Sequence, residues 1–492
     1  MLAVGDGGSA ARGELERLRL LHRDATGRDG LERLVRRVAR ELGATAVLLD
    51  PRRRVLHAFP EEPPGPVLRS ITAGVERMLT GGARSLAIDA GSERVWAFAL
   101  GPEPASPVLV VVGEQAGSAA HGPFLDDALR LLRLCWENWA GRRRAGRLDR
   151  ADRAVREAVL HMLMVGQQQA AHQTASALGH ALPESVRVAV VEAASGIREV
   201  LAARLAEATR GRAWIVRCPV YSGHLIALVP ADGRDDERVP FGELFSPSDR
   251  ISVGASRTAH LHQVPAAYRQ AFHALARART GPRWQATFRP DTDLAAVVGC
   301  RGRRWAEGVL APLTGHRPRR PQDPTAEELR ATLRSWLAFH RHAARQLKIH
   351  RNTLAARIDK IEGLLGQDLH GLAGRAGTDL ALRLLDAVGE EPADDDRWDD
   401  LGAILAASAV RAWANRFLRP LVQAPSGVLD TARVWIENGT HLESTAAVLG
   451  ISVPAVRKRL HRAEEALERS LLRSPSACYD LHFAFRADAQ RS

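Results

Sequence analysis

The sequence predicts a multidomain protein built from α+β and all-α parts. Three observations carry that expectation. At 492 residues the chain exceeds what one hydrophobic core organises, so three or four domains are expected. Up to about residue 290, short apolar runs alternate with amphipathic stretches, as strands interleaved with helices do. Beyond residue 300 the strand signal ends, and helical segments recur as a duplicated block.

Along the first part, the apolar residues from Leu15 to Leu42 keep helical spacing. The runs "ATAVLLD", "RVLHAF", "SLAIDA", "RVWAFAL" and "PVLVVVGE" read as strands, with a helix over "PVLRSITAGVERML". Residues 14–122 therefore form one sensor-like α+β domain. Residues 123–184 read as a helical linker. Phe124, Ala128, Leu131 and Cys135 share one stripe, which Leu148, Val155, Val159 and Met162 resume after the basic stretch "GRRRAGRLDR". A dimerising helix and two helices packed on the preceding domain both fit this pattern. Residues 185–290 form a second α+β domain: the strand "VRVAVVEA", the helix "GIREVLAARLAEATR", a hairpin turning at Ser222-Gly223, the strand "RISVGAS" and the helix "VPAAYRQAFHALARAR". Two helical modules follow, over 300–388 and 405–488, joined by an acidic linker at 389–404.

The duplication is explicit. "WAEGVLAPL" returns as "WANRFLRPL", and "TDLALRL" as "YDLHFAF". Between these pairs lies a shared template. The first copy runs Ala344-x-x-Leu347-x-Ile349-His350-x-x-Thr353-Leu354-x-x-Arg357-Ile358. The second runs Ala446-x-x-Leu449-x-Ile451-Ser452-x-x-Ala455-Val456-x-x-Arg459-Leu460. A small residue lets two helices cross closely. The next two apolar residues bury a tight corner, and a pair spaced by four buries one face of the second helix. Ser452 is a favourable N-cap and His350 a poorer one. This is a helix-turn-helix, whose second helix has the dimensions of the major groove.

The opposite face presents Arg351, Asn352, Ala355 and Lys360 in the first copy and Val453, Pro454, Arg457, Lys458 and His461 in the second. The candidate DNA-binding residues are His350, Arg351, Asn352, Thr353, Arg357 and Lys360, with Ser452, Val453, Arg457, Lys458 and His461. Arginine and asparagine can read guanine and adenine edges bidentately, and the remaining basic groups suit phosphates. Arg301, Arg303, Arg304, Arg317, Arg319 and Arg320 are further candidates for phosphate contact. The partner expected is double-stranded DNA.

Composition agrees without deciding the matter. A net charge of +12 suits a polyanionic partner. However, all but three of the 69 basic residues are arginines, a bias that reads as GC-rich coding rather than selection for charge. The three lysines, Lys348, Lys360 and Lys458, all lie in or beside the helix-turn-helix segments. Cys135, Cys218, Cys300 and Cys478 have neither CxxC nor metal-ligand spacing, so reduced thiols, no metal and a cytoplasmic location are expected. There is no leader pattern, and "PVLVVVG" is too short to span a bilayer, so no membrane is expected. No P-loop, GxSxG, HExxH or GxGxxG appears; no catalytic residue, no cofactor and no enzymatic activity are expected.

The segment "HRNTLAARIDKIEGLLGQDL", residues 350–369, resembles the C-terminal helix-turn-helix of PucR/CdaR-type bacterial transcriptional regulators. "RISVGASRTAHLHQVPAAYRQAFHALARAR" looks like the end of the degenerate GGDEF-like domain that precedes it in that family, and residues 14–122 resemble a GAF-like sensor. The resemblance implies DNA-binding regulation by ligand-responsive dimers, hence a homodimer or higher homo-oligomer and a small-molecule effector. The sequence departs from the family at two points. The second copy lacks the His-Arg-Asn-Thr signature, and the hairpin "CPVYSGHLIAL" has no Gly-Gly-acidic run for cyclase chemistry. The competing reading is a nucleotide- or protein-binding signalling scaffold whose helical modules mediate protein interaction.

Overall fold

The computed structural model describes residues 7–27, 29–63, 65–90, 93–101, 106–113, 122–194, 196–231, 251–280, 284–290, 293–386 and 398–489. Much of the expected acidic linker, and the start of the Gly- and Ala-rich N-terminus, lie outside these residues. The chain divides into two compact units, Met1–Ala151 and Asp152–Ser492.

In the first unit the expected N-terminal helical run is two helices, α1 (Gly7–Ala25) and α2 (Gly30–Leu42). The Thr26 hydroxyl donates to the His22 carbonyl at 3.1 Å as α1 ends. Gly30 then starts α2 so close to that end that a Cβ there would lie 2.6 Å from the Ala25 carbonyl oxygen. Five strands follow, β1 (Thr45–Leu49), β2 (Val55–Phe59), β3 (Ser85–Ala90), β4 (Glu93–Ala99) and β5 (Val108–Val112), with α3 (Gly65–Thr80) between β2 and β3. They form an antiparallel sheet in the order β2-β1-β5-β4-β3. Alternation decides the faces. Ala46, Leu48, Leu109 and Val111 pack with Leu34 and Val38 of α2, while Val47, Leu49, Val108 and Val110 pack with Ile71 and Val75 of α3.

Helix α4 (Gly122–Met164) runs 43 residues without interruption. It passes through the basic stretch at 141–150, every residue of which is exposed. Arginine and alanine are strong helix formers, which keeps this segment helical without packing. Near its start Phe124, Ala128 and Leu132 are buried against the first unit's core; near its end Val159 and Leu163 join the core of the second unit.

The second unit opens with α5 (Gln168–Ala177), then β6 (Ser185–Glu192), α6 (Arg198–Ala208), β7 (Trp214–Arg217), β8 (His224–Pro230), β9 (Ser252–His260), α7 (Val264–Thr280) and β10 (Gln285–Thr287). The sheet order is β10-β9-β6-β8-β7, with β10 parallel to β9 and the other pairs antiparallel. The expected hairpin is β7–β8. Val186, Val188 and Val190 face Phe272 and Leu275 of α7; Ala189 and Val191 face Leu201 and Leu205 of α6. At Gly254 α7 passes close to the sheet: a Cβ there would sit 2.1 Å from the Ala271 carbonyl oxygen.

A short helix α8 (Leu294–Val298) leads into the helical modules. The first comprises α9 (Arg303–Thr314), α10 (Ala326–Phe339), α11 (Ala343–Leu347), α12 (Arg351–Leu365) and α13 (Leu372–Leu385). Helix α14 (Leu401–Ala406) precedes the second, which comprises α15 (Ser408–Val422), α16 (Val428–Glu437), α17 (Leu442–Leu449), α18 (Val453–Leu467) and α19 (Cys478–Ala489). One apolar core runs from Phe272 of the sheet domain through Leu329 and Ile358 of the first module to Trp413, Leu460 and Phe483 of the second. No helix among the described residues is long and apolar enough to cross a membrane.

Candidate nucleic-acid interface

In the first module a capping box starts α10: Thr325 Oγ1 accepts from the Glu328 N–H at 3.2 Å, and the Glu328 carboxylate accepts from the Thr325 N–H at 2.8 Å. A 3-10 turn, His340–His342, then leads into α11, which is only five residues long. Lys348 makes the corner in the left-handed region, φ 55°, and the Ile349 N–H closes onto the Ala344 carbonyl at 3.1 Å. His350 is the N-cap of α12, its Nδ1 accepting from the Asn352 N–H at 3.3 Å. Leu354, Ile358, Ile361 and Leu365 bury one face of α12. Its first turn carries Arg351, Asn352 and Thr353, all exposed, at the positive end of the helix.

The second module repeats this geometry. Gly450 makes the corner at φ 63°, and the Ile451 N–H closes onto the Ala446 carbonyl at 3.1 Å. The Ser452 hydroxyl caps α18 by accepting from the Ala455 N–H at 3.3 Å. Val456, Leu460 and Ala463 are buried, while Arg457, Lys458 and His461 are exposed. Val453 is half-buried, and the first turn, with Pro454, is apolar where the first copy is polar.

Not every candidate residue faces outward alike. Arg357 is half-buried; its guanidinium donates to Thr332 Oγ1 at 3.3 Å and lies 3.5 Å from the Glu328 carboxylate. Arg459 makes the same contact with Thr431 Oγ1 at 3.3 Å. The arginine shared by both copies thus fastens the recognition helix to α10 in the first copy and to α16 in the second, the helix preceding the helix-turn-helix pair. Lys360 is half-exposed. His461 is exposed but its Nδ1 lies 2.8 Å from the Glu464 carboxylate. Arg301 stacks over Trp398 and Arg304 pairs with Asp399 at 3.6 Å, whereas Arg317, Arg319 and Arg320 are exposed. Arg462, one turn beyond Lys458 and exposed, shares its face; that spacing is visible in the sequence.

The repeated Asp of "TDLALRL" and "YDLHFAF" has a structural meaning that the sequence does not reveal. Asp379 on α13 and Asp480 on α19 both approach Arg383, at 3.3 and 2.7 Å, and Asp293 also pairs with it. Arg269 of α7 pairs with Asp379 at 3.1 Å. Burial alone would depress the Arg383 pKa, but Asp293, Asp480 and Asp379 raise it well above the usual value. Burial raises the Asp480 carboxyl, opposed by Arg383. At the tip of the β7–β8 hairpin, the Tyr221 hydroxyl donates to the Ser474 carbonyl at 2.7 Å and accepts from the Ser474 N–H at 3.1 Å. The hairpin loop thereby docks onto the second module.

Comparison with known proteins places these parts. Residues 329–384 and 428–487 match the PucR C-terminal helix-turn-helix domain, and residues 165–276 match a GGDEF-like domain. A Thermomonospora curvata protein, described as an uncharacterized protein in the pkwA 5′ region, is 39% identical over 83 residues, which are 16% of this chain and 43% of that protein. The chain thus spans less than half the length of this relative. A crystal structure of a regulator of polyketide synthase expression from Bifidobacterium adolescentis aligns at 18% identity over 47% of this chain and 92% of that one, with a TM-score of 0.24. The chain thus carries a GGDEF-like domain followed by two segments that match the PucR C-terminal helix-turn-helix domain, a domain content that supports a regulator of the PucR type.

Proposed function

We propose that the protein is a sequence-specific DNA-binding transcriptional regulator that reads the major groove with the first turn of α12. The observation carrying this reading is the exposed Arg351-Asn352-Thr353 turn, held by a closed corner and a buried helix face, on a domain of the PucR helix-turn-helix type. Recognition helices of this motif contact base edges with their N-terminal residues. Arg351 and Asn352 are the base readers, and Lys360 contacts phosphate. In the second copy Arg457, Lys458, His461 and Arg462 form a basic face behind an apolar first turn, which supports phosphate contact more than base reading. The protein works in the cytoplasm as a homodimer that aligns recognition helices on two half-sites. Residues 14–122 act as a GAF-like sensor domain, and a small-molecule effector shifts the population of the DNA-competent arrangement.

Selection of fragmented genomic DNA by the purified protein, at low and moderate salt, tests this. Enrichment of loci sharing a motif, retained at moderate salt and lost in the Arg351→Ala/Asn352→Ala variant, is the expected result. Uniform recovery that disappears with salt would reject sequence-specific reading and favour the scaffold alternative.

A further inference from the structure

The second unit holds a cavity of about 510 Å³. That volume lies within the range of sites that take small organic ligands. Its wall comes from three parts of the unit. The GGDEF-like domain contributes Arg257, Arg269, His273 and the first turn of α7, including Ala266; the first helical module contributes Arg334 and Arg383; the second contributes Asp480. Asp293 and Asp386 complete the charged lining, giving four guanidinium groups and three carboxylates.

Most of these charges are already matched. Arg334 is bidentate to Asp386, with one contact of 3.1 Å, and Arg383 is held by Asp293 and Asp480. Arg257 differs: it is exposed and has no carboxylate in salt-bridge range among the described residues. The first turn of α7, a 17-residue helix, lines the same wall with Pro265, Ala266 and Ala267 and favours an anion through the helix dipole; the Val264 N–H is taken by the Leu261 carbonyl and Pro265 has none. His273 supplies an independent indication. It is 6% exposed, and its Nδ1 is buried with no hydrogen-bond partner among the described residues. Burial, then Arg469, Arg269 and Arg383, push its pKa well below the usual histidine value, so the ring stays neutral, with one nitrogen able to donate and the other to accept.

We propose that this cavity binds a small organic anion, held by Arg257, the first turn of α7 and His273, and that occupancy sets how the two helix-turn-helix modules are held against the GGDEF-like domain. An anion here competes with Asp386 for Arg334 and with Asp293 and Asp480 for Arg383, the group that ties the first module to the second. The regulatory half of the proposal rests on the DNA-binding reading above; the binding half does not.

The test uses the full chain, with citrate, succinate and glycerol phosphate as probes and sodium chloride at matched ionic strength as control. Calorimetric titration should show saturable binding of at least one probe, weakened at least about tenfold by Arg257→Gln, a surface change that leaves the core intact. Ala266→Phe, which fills the cavity from its half-buried rim, should abolish that binding. Should Ala266→Phe fail to fold, Arg257→Gln alone decides. Carboxylate and phosphate probes separate the two sources of anionic chemistry. No heat from any probe, or binding unaffected by Arg257→Gln, overturns the site. Affinity for the selected DNA, measured with and without the bound probe, reads the second half: unchanged affinity rejects regulation from this cavity. Failure to select any DNA sinks the DNA-binding reading and leaves the titration standing.

Discussion

The first helix-turn-helix module turns its corner at Lys348 and ends its recognition helix at Gly366; the second turns at Gly450 and ends at Glu468. All four residues are left-handed, at φ 55°, 61°, 63° and 52° in that order. Each copy therefore keeps glycine at one of the two positions where the backbone favours it, and the copies choose opposite ones. A non-glycine residue in this region costs about 1–2 kcal/mol. The fold of the module tolerates that strain once per copy because the rest of the corner is over-determined. The same latch from arginine to a buried threonine recurs in both copies. So does a carboxylate that closes the next loop: Glu362 accepts from the Leu369 N–H at 3.0 Å, and Glu464 from the Leu471 N–H at 2.7 Å. What has diverged lies elsewhere, in the exposed first turn of the recognition helix and in the charge at the last helix. Arg383 of the first copy is replaced at the equivalent place by the fully buried Ala484, which leaves room for one arginine to serve both repeated aspartates. The scaffold is shared, while the surface and the inter-module contact are specialised.

The largest expected effect comes from breaking that asymmetry. Arg383→Ala leaves Asp293, Asp379 and Asp480 without their common cation, and urea unfolding should show a loss of about 3–5 kcal/mol. A loss below about 1 kcal/mol would mean the carboxylates find protons or water instead, and the modules are not joined by charge.

Next in size is the contrast between recognition turns. Removing Arg351 and Asn352 should cost about 1–3 kcal/mol for each base contact on the selected site while leaving binding to random DNA nearly intact. Arg457→Ala/Lys458→Ala should weaken both kinds of site alike and flatten the salt dependence. Equal behaviour of the two pairs would show that both copies read bases, or that neither does.

A third difference is protonic. The first module reaches its corner through His340, whose pKa burial, then Arg375, push down to about 4. The second passes its corresponding turn through Gly439 and Thr440. Because the folded value lies below the free histidine value of about 6.5, folding favours the neutral ring. The stability it contributes is intact above pH 6.5 and is lost as pH falls toward 4. Denaturant midpoints should decline through that window, less steeply in His340→Asn, which keeps a residue tolerant of its φ of 45°. Glu192, held at about 2 against burial by hydrogen bonds from His224 and Arg279, loses its contribution only below pH 4.5, so the two windows separate. An unchanged slope in the variant would remove His340 as the acid-sensitive group.

The smallest effect tests the corner exchange itself. Lys348→Gly should stabilise by about 0.5–1 kcal/mol despite losing an exposed ion pair to Glu157 at 3.3 Å, which contributes little. Glu468→Gly should behave likewise, with its exposed pair to Arg277 at 2.9 Å lost. Destabilisation by either would assign the side chain a role beyond the turn.

Local pattern alone determined a good deal. The five strands of each sheet domain, where they alternate or run apolar, follow from side-chain periodicity, with the three-residue β10 beyond its reach. Both helix-turn-helix corners were legible because small, apolar and capping residues are needed at fixed spacings within about twenty residues. The exposure of Arg351, Asn352, Arg457 and Lys458 follows from the buried stripes opposite them. Only the tertiary structure decided that Arg357 and Arg459 turn back onto threonines two helices earlier, that the repeated aspartates meet one arginine, and that His273 lines a cavity. Those facts depend on residues 25 to 110 positions apart becoming neighbours, as in the pairs Arg357–Thr332 and Arg269–Asp379. Periodicity reports which side of its own element a residue occupies. What waits on that side is set by how elements pack, and a buried charge or open nitrogen acquires its meaning only from that neighbour.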